Sequence, residues 1–233
     1  LMAIVAEGDR GRVYLEPTPE DEALARKAKP EWKPDVTISG STQYLGVKPY
    51  GIDRFDQLFT DRQLCALTTF ANLAQEARER VHRDAVEAGL EDNTKSARDS
   101  GIGAAGYADA LAVYLGLAVG RVADYCSTVC TWANNPQMEI VRGTFARQAL
   151  PMTWDFAEPN VFGPSTGSLS IILGWIGKAI VRLPACGSGR AFQENAAERS
   201  ELLSAPVVST DPPYFDNVPY ADLSDFFLSL IHI

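Results

Sequence analysis

The run YADALAVYLGLAVGRVADYCSTVCT, Tyr107 to Thr131, limits the folds open to this chain more than any other stretch. Its only charges are Asp109, Arg121 and Asp124, so it reads as a mostly buried helix of about seven turns. Ala110, Ala112, Gly116, Ala118 and Gly120 keep it thin enough for another helix to approach closely. Two interior glycines cost about 1 kcal/mol each relative to alanine, which close packing has to offset. The overlapping stretch Ile102 to Val119 nears the length of a membrane span. Asp109 would then be buried in lipid at considerable cost, so the helix is expected inside protein.

The segment before it is the expected cover. TDRQ, Thr60 to Gln63, has the pattern of a capping box, in which the threonine hydroxyl and the glutamine side chain satisfy each other's backbone amides. Leu64, Leu67, Phe70, Ala71 and Ala74 then recur at helical spacing, and the helix is expected to run toward Ala88 and stop at Gly89. The polar stretch Leu90 to Ser100 and GIGAAG, Gly101 to Gly106, read as a flexible loop. NNP, ending at Pro136, closes the long helix; a third helix is expected over Ile140 to Leu150 and a fourth over Ser168 to Leu183. At the amino-terminal side, Gly8 to Glu16 reads as a short strand centred on RVYL, and Glu20 to Ala28 as a charged helix broken by KPEWKP. Asp35 to Tyr50 reads as connector with few internal constraints.

With 233 residues, 46% of them hydrophobic, the chain has enough apolar material for a buried core. Thirty acids against 21 bases leave a net charge of -9, which argues against a domain that holds nucleic acid through phosphates unaided. Cys65, Cys126, Cys130 and Cys186 form no CxxC pair. Cys126 and Cys130 would share one helix face, but a metal needs two further ligands, and His82 and His232 are poorly placed to supply them. No metal site is expected. Buried, reduced cysteines fit a cytoplasmic location, and LMAIVA at the start is too short for a signal peptide core.

Near the other end lies VVSTDPPYFDN, Val207 to Asn217. PVVST, Pro206 to Thr210, reads as an apolar strand, and a carboxylate directly after a strand is the site layout of open α/β folds. Asp211 can accept a hydrogen bond from an exocyclic amine, Pro212 and Pro213 stiffen the backbone so that neighbouring carbonyls point one way, and Tyr214 offers a flat ring for stacking. Such a set would hold a planar amine with its lone pair outward, as methyl transfer to nitrogen requires. The competing reading makes the prolines a turn breaker, Asp211 a cap and Tyr214 a core residue.

The tetrapeptide resembles the catalytic motif of S-adenosylmethionine-dependent methyltransferases acting on adenine N6 or cytosine N4. More of the chain resembles the adenine-specific DNA methylase-like proteins that carry the DUF1156 domain, in DQLFTDRQLCAL from Asp56, YADALAVYLGLAVGRVADYCSTVC from Tyr107, RGTFARQALPMTWDFAEPNVF from Arg142 and TDPPYFDNVPYADLSDFF from Thr210. The resemblance implies S-adenosyl-L-methionine as cofactor, nucleic acid and first of all DNA as partner, no membrane, and a base flipped into the pocket. It implies that Asp211 and the Pro212 carbonyl accept from the target amine, that Pro213 is the rigid partner and that Tyr214 stacks. Arg142, Arg147 and Gln148 are candidates for phosphate or base contacts, or simply a solvated helix face. Trp154, Asp155 and Glu158 could line the cleft, and Asp216 and Asn217 could shape the pocket.

The family's cofactor segment, an acid-Pro-Phe-x-Gly-x-Gly loop after an earlier strand, has no match upstream of Thr210. The GSG at Gly187 to Gly189 lacks the strand and the acid. The chain is therefore expected to be an internal fragment whose cofactor loop precedes Leu1, inactive alone, and LSLIHI, Leu228 to Ile233, reads as the in-frame translation of a transposon sequencing adapter. The expected fold is α/β: a partial Rossmann-like methyltransferase fold with a large, mainly helical inserted region. Residues 1–50 would be a short strand and connector, 51–183 the helical insert, 184–227 the partial methyltransferase core with DPPY, and 228–233 the tail. RNA or a protein amide as substrate, or a non-catalytic helical interaction module, are the alternatives.

Overall fold

The computed structural model describes residues 1–93, 95–97, 101–135, 138–183, 195, 207, 209–211 and 218–230. Helix α2 (Asp61–Glu87) starts at the expected capping box. The Thr60 hydroxyl accepts from the Gln63 amide at 3.2 Å and Gln63 Oε1 accepts from the Thr60 amide at 2.8 Å. It ends at Ala88, and Gly89, with φ 95°, takes the left-handed conformation that lets the chain turn away. Leu64, Leu67, Phe70 and Ala74 are buried along its core face.

Helix α3 (Ala104–Tyr125) packs against α2 through its small residues, with Ala108, Ala112 and Ala118 buried. GIGAAG is thus loop only up to Gly103, and the helix has already begun at Ala104. The lone acid of the apolar run is accounted for: Asp109 accepts from Arg78 of α2 at 2.7 Å and from the Ala97 amide at 3.1 Å. Among the described residues, no helix is long and apolar enough to cross a membrane.

The long helix stops six residues short of Thr131, for a tertiary reason. Continuing it would require the Thr128 amide to donate to the Asp124 carbonyl. Instead the Thr128 amide donates to Leu58 O at 2.8 Å, and Asp124 O accepts from the amide and hydroxyl of Thr144 at 2.6 and 2.8 Å. Cys126 becomes the C-cap, so Cys126 and Cys130 do not share a helix face. The chain goes on as β3 (Thr131–Asn135), which pairs antiparallel with β4 (Met138–Arg142), Thr131 facing Arg142 and Asn135 facing Met138. The expected third helix over Ile140 to Leu150 is therefore corrected. Its first residues, Ile140 to Arg142, belong to β4, whose Met138–Arg142 alternate exposed and half-buried, the period of a strand.

At the amino-terminal side β1 (Ile4–Gly8) pairs antiparallel with β2 (Gly11–Leu15), so the RVYL strand exists with a partner that sequence reading missed. Tyr14 joins the two hairpins, accepting from Trp132 Nε1 at 3.1 Å and donating to Glu139 Oε1 at 3.2 Å. A short helix α1 (Pro19–Ala25) follows, opened by a capping box of Thr18 and Asp21. The Thr18 amide and hydroxyl hold the Asp21 carboxyl below the ordinary aspartate range.

The expected Rossmann-like sheet is overturned. Among the described residues the architecture is a mixed α/β fold with two small, separate antiparallel two-stranded sheets, β1-β2 and β3-β4. In the segment read as an apolar strand, Val207, Ser209 and Thr210 are not in a strand and are exposed, Val207 fully. A parallel strand needs neighbours on its edges and cover on both faces, and this segment has neither at its described residues.

The stretch read as loose connector is in fact built into the core. Ile38, Leu45 and Val47 are buried, the Ile38 amide donates to Asp53 O at 2.8 Å, and the Phe55 amide donates to Val36 O at 3.0 Å. Helix α4 (Leu169–Arg182) begins at Ser168, whose hydroxyl accepts from the Ile171 amide. Helix α5 (Tyr220–Leu228) sends Phe226 into the same core, where its ring lies 5.0 Å from Phe145, 5.3 Å from Phe59 and 6.2 Å from Phe55. Beyond it, the hydroxyl of buried Ser229 donates to Phe226 O, and Leu230 is buried.

Candidate functional site

The four sequence segments that carry the resemblance meet in this core. Phe59 comes from the first, Asp124 from the second, Thr144 and Phe145 from the third, and Phe226 from the fourth. Asp124 ties two of them together. Its Oδ1 accepts from the Phe145 amide at 3.1 Å and its Oδ2 accepts from Arg121 at 2.8 Å. A Cβ on residue 143 would sit 2.8 Å from Oδ2, so only glycine passes here without displacing the carboxylate. Ser127 and Thr144 complete the knot with a 2.8 Å hydroxyl contact.

Of the motif residues, Asp211 is described and exposed. Pro212, Pro213 and Tyr214, with Asp216 and Asn217, lie outside the described residues. The chain is described again at Val218 and enters α5 directly. Six residues lie between Asp211 and Val218, a reach of at most roughly 25 Å over the seven steps. At that re-entry the fold forms a cavity of about 210 Å³ lined by Ser41, Tyr44, Val218, Pro219 and Asp222. Ser39 donates its hydroxyl to Asp222 Oδ1, joining the former connector to the first turn of α5.

The other named candidates are dispersed. Arg142, Arg147 and Gln148 are exposed, the first on β4 and the last in a left-handed turn with φ 48°. Asp155 is exposed, Trp154 packs its edge on Tyr50 at 5.4 Å, and Glu158 accepts from Arg62 of α2 at 2.7 Å. Glu158 thus anchors its loop to the start of α2.

A second cavity, of about 420 Å³, is an open groove beside α2 with Arg78, His82, Arg83, Asp92 and Asn93 on its walls. Arg78 is committed to Asp109, and His82 stands 3.3 Å from Asp92. Neither cavity fits S-adenosylmethionine. The first is smaller than the roughly 300–1,000 Å³ of ordinary small-molecule sites, the groove has no aromatic wall, and neither has a glycine-rich turn after a strand. Among the described residues no cluster of histidine, cysteine and carboxylate side chains could hold a metal.

Cys126 is held as the thiol. Burial raises the Cys126 thiol well above its ordinary value, Glu158 and Cys130 add to the rise, and Arg62 opposes it. A raised folded-state value means that stability is complete below the ordinary thiol pKa of about 8.5 and falls as pH rises beyond it, because only the unfolded state ionises there. Urea melts between pH 8 and 10 are expected to show that fall, and Cys126→Ala to flatten it. A slope identical in the two proteins would rule the cysteine out.

The fold and its cavities define a mixed α/β protein whose helical core presents a small polar pocket and an exposed acid near it in sequence. No protein-family model matches the chain, and no curated protein or solved structure matches it either.

Proposed function

We propose that the chain is part of an S-adenosylmethionine-dependent amino-methyltransferase of the DUF1156-containing, adenine-specific DNA methylase-like kind, with adenine N6 in DNA as the target. The observation that carries the reading is the exposed carboxylate of Asp211 at the head of DPPY, with eight residues between it and the cored helix α5. On this reading Asp211 and the Pro212 carbonyl accept the two N–H bonds of the amine and Tyr214 stacks on its ring. The chain binds and orients the nucleophile, and alignment rather than strong-base chemistry is its contribution. The methyl donor is held by residues other than those described.

The test is transfer of radiolabelled methyl groups by the full-length protein to unmodified DNA and RNA offered separately. Wild type is expected to label DNA, and Asp211→Ala to lose about 10²-fold or more of the rate while still binding cofactor. Labelling of RNA alone would move the substrate class, and an intact protein that labels neither polymer would end the enzyme reading. A non-catalytic interaction module is the second reading, favoured by α4: Leu173, Trp175, Ile180 and Val181 are exposed on it, and only Ile172 is buried.

A further inference from the structure

We propose that the cavity formed by Ser41, Tyr44, Val218, Pro219 and Asp222 is a second nucleobase subsite, which takes a single base bearing an exocyclic amine next to the target in the substrate strand. The inference rests on the reading of Asp211 as the target-amine acceptor. It adds a specificity pocket that the DPPY motif does not contain.

Size is the first argument. About 210 Å³ is too little for a drug-sized ligand or a dinucleotide cofactor, and suits one heterocycle. Chemistry is the second. Tyr44 contributes a flat ring, Val218 and Pro219 apolar surface, and Ser41 and Asp222 polar groups that distinguish one base edge from another. The two oxygens of Asp222 are not equivalent. Oδ1 accepts from Ser39, whereas Oδ2 accepts no hydrogen bond among the described residues and fills the space left by the missing Cβ of Gly40, where φ is 93°. An ionised carboxylate oxygen only accepts, so it selects the amino group of adenine or cytosine and repels the carbonyl that thymine presents at the same position.

Placement is the third argument. Asp211 is within roughly 25 Å of Val218 along the chain. One short single strand could then engage both, with base stacking rather than phosphate contacts supplying much of the binding. That suits a chain with net charge -9.

The test titrates the full 233-residue chain with adenosine, cytidine and thymidine by ligand-observed nuclear magnetic resonance, for wild type, Asp222→Asn, Tyr44→Leu and His82→Ala. Adenosine or cytidine is expected to bind about tenfold more tightly than thymidine. Asp222→Asn keeps the shape and an acceptor for Ser39 but can turn a donor toward the ligand, and should erase that preference. Tyr44→Leu should weaken all three nucleosides, and His82→Ala, in the separate groove beside α2, should change none of this, with circular dichroism unaltered throughout. Equal binding of the three nucleosides, or a preference lost in His82→Ala and kept in Asp222→Asn, overturns the subsite while leaving the methyltransferase reading in place. Failure of methyl transfer alongside a preference that depends on Asp222 removes the enzyme reading alone.

Discussion

Phe226→Ala is expected to destabilise the protein by about 3–5 kcal/mol, the usual cost of removing a buried aromatic ring. Phe226 is fully buried, and its ring meets those of Phe55, Phe59, Phe145 and Phe227 within 5.0 to 6.2 Å, mostly edge to face. Four aromatic partners leave a void that small side-chain shifts cannot fill, so the loss should fall toward the upper end. Urea denaturation with an unchanged m-value is the measurement. A midpoint near wild type would mean that α5 does not close the core. Phe227→Ala, at a half-buried position on the same helix, should cost clearly less, which separates loss of the ring from loss of helix propensity.

Asp124→Ala is expected to cost about 2–3 kcal/mol, because it strands the half-buried Phe145 amide that now donates to Oδ1. The ion pair with Arg121 is the lesser part. The Arg121 side chain is 49% exposed and can return to water, so Arg121→Ala should cost under about 1 kcal/mol. Asp124→Asn retains a carbonyl acceptor for Phe145 and should recover most of the loss. If Arg121→Ala matched Asp124→Ala, the ion pair rather than the backbone hydrogen bond would hold the knot. Thermal melts of the three variants side by side decide this.

The beginnings of α2 and α4 were legible because a cap is local: Thr60 with Gln63, and Ser168, satisfy amides within three residues of themselves. The pairing of α2 with α3 was legible from one amphipathic face followed by a run of small residues. The end of α3 was not. Nothing between Tyr107 and Thr131 announces that Leu58 and Thr144 will take the hydrogen bonds of the next turn. Missing that carries the helix six residues too far, to Thr131, and puts the end of β4 into another helix.

The same limit applies to the candidate site. Asp211 stood out because DPPY is contiguous, whereas Ser41 and Tyr44 meet Asp222 across some 180 residues. Gly40, inside SGS, was the one local signal. Its left-handed conformation and missing Cβ are what make room for the Asp222 carboxylate.

From the sequence alone came the caps, the amphipathic faces, the glycine stop at residue 89 and the DPPY motif, all of which depend on residues within a few positions of each other. Only the tertiary structure decided where α3 stops, that the sheets are two antiparallel pairs with no parallel sheet among the described residues, and that residues 36–47 line the core. The physical reason is competition for backbone hydrogen bonds. A group that is satisfied nearby reveals its partner in the sequence, and one whose partner arrives from 20 or 70 residues away does not.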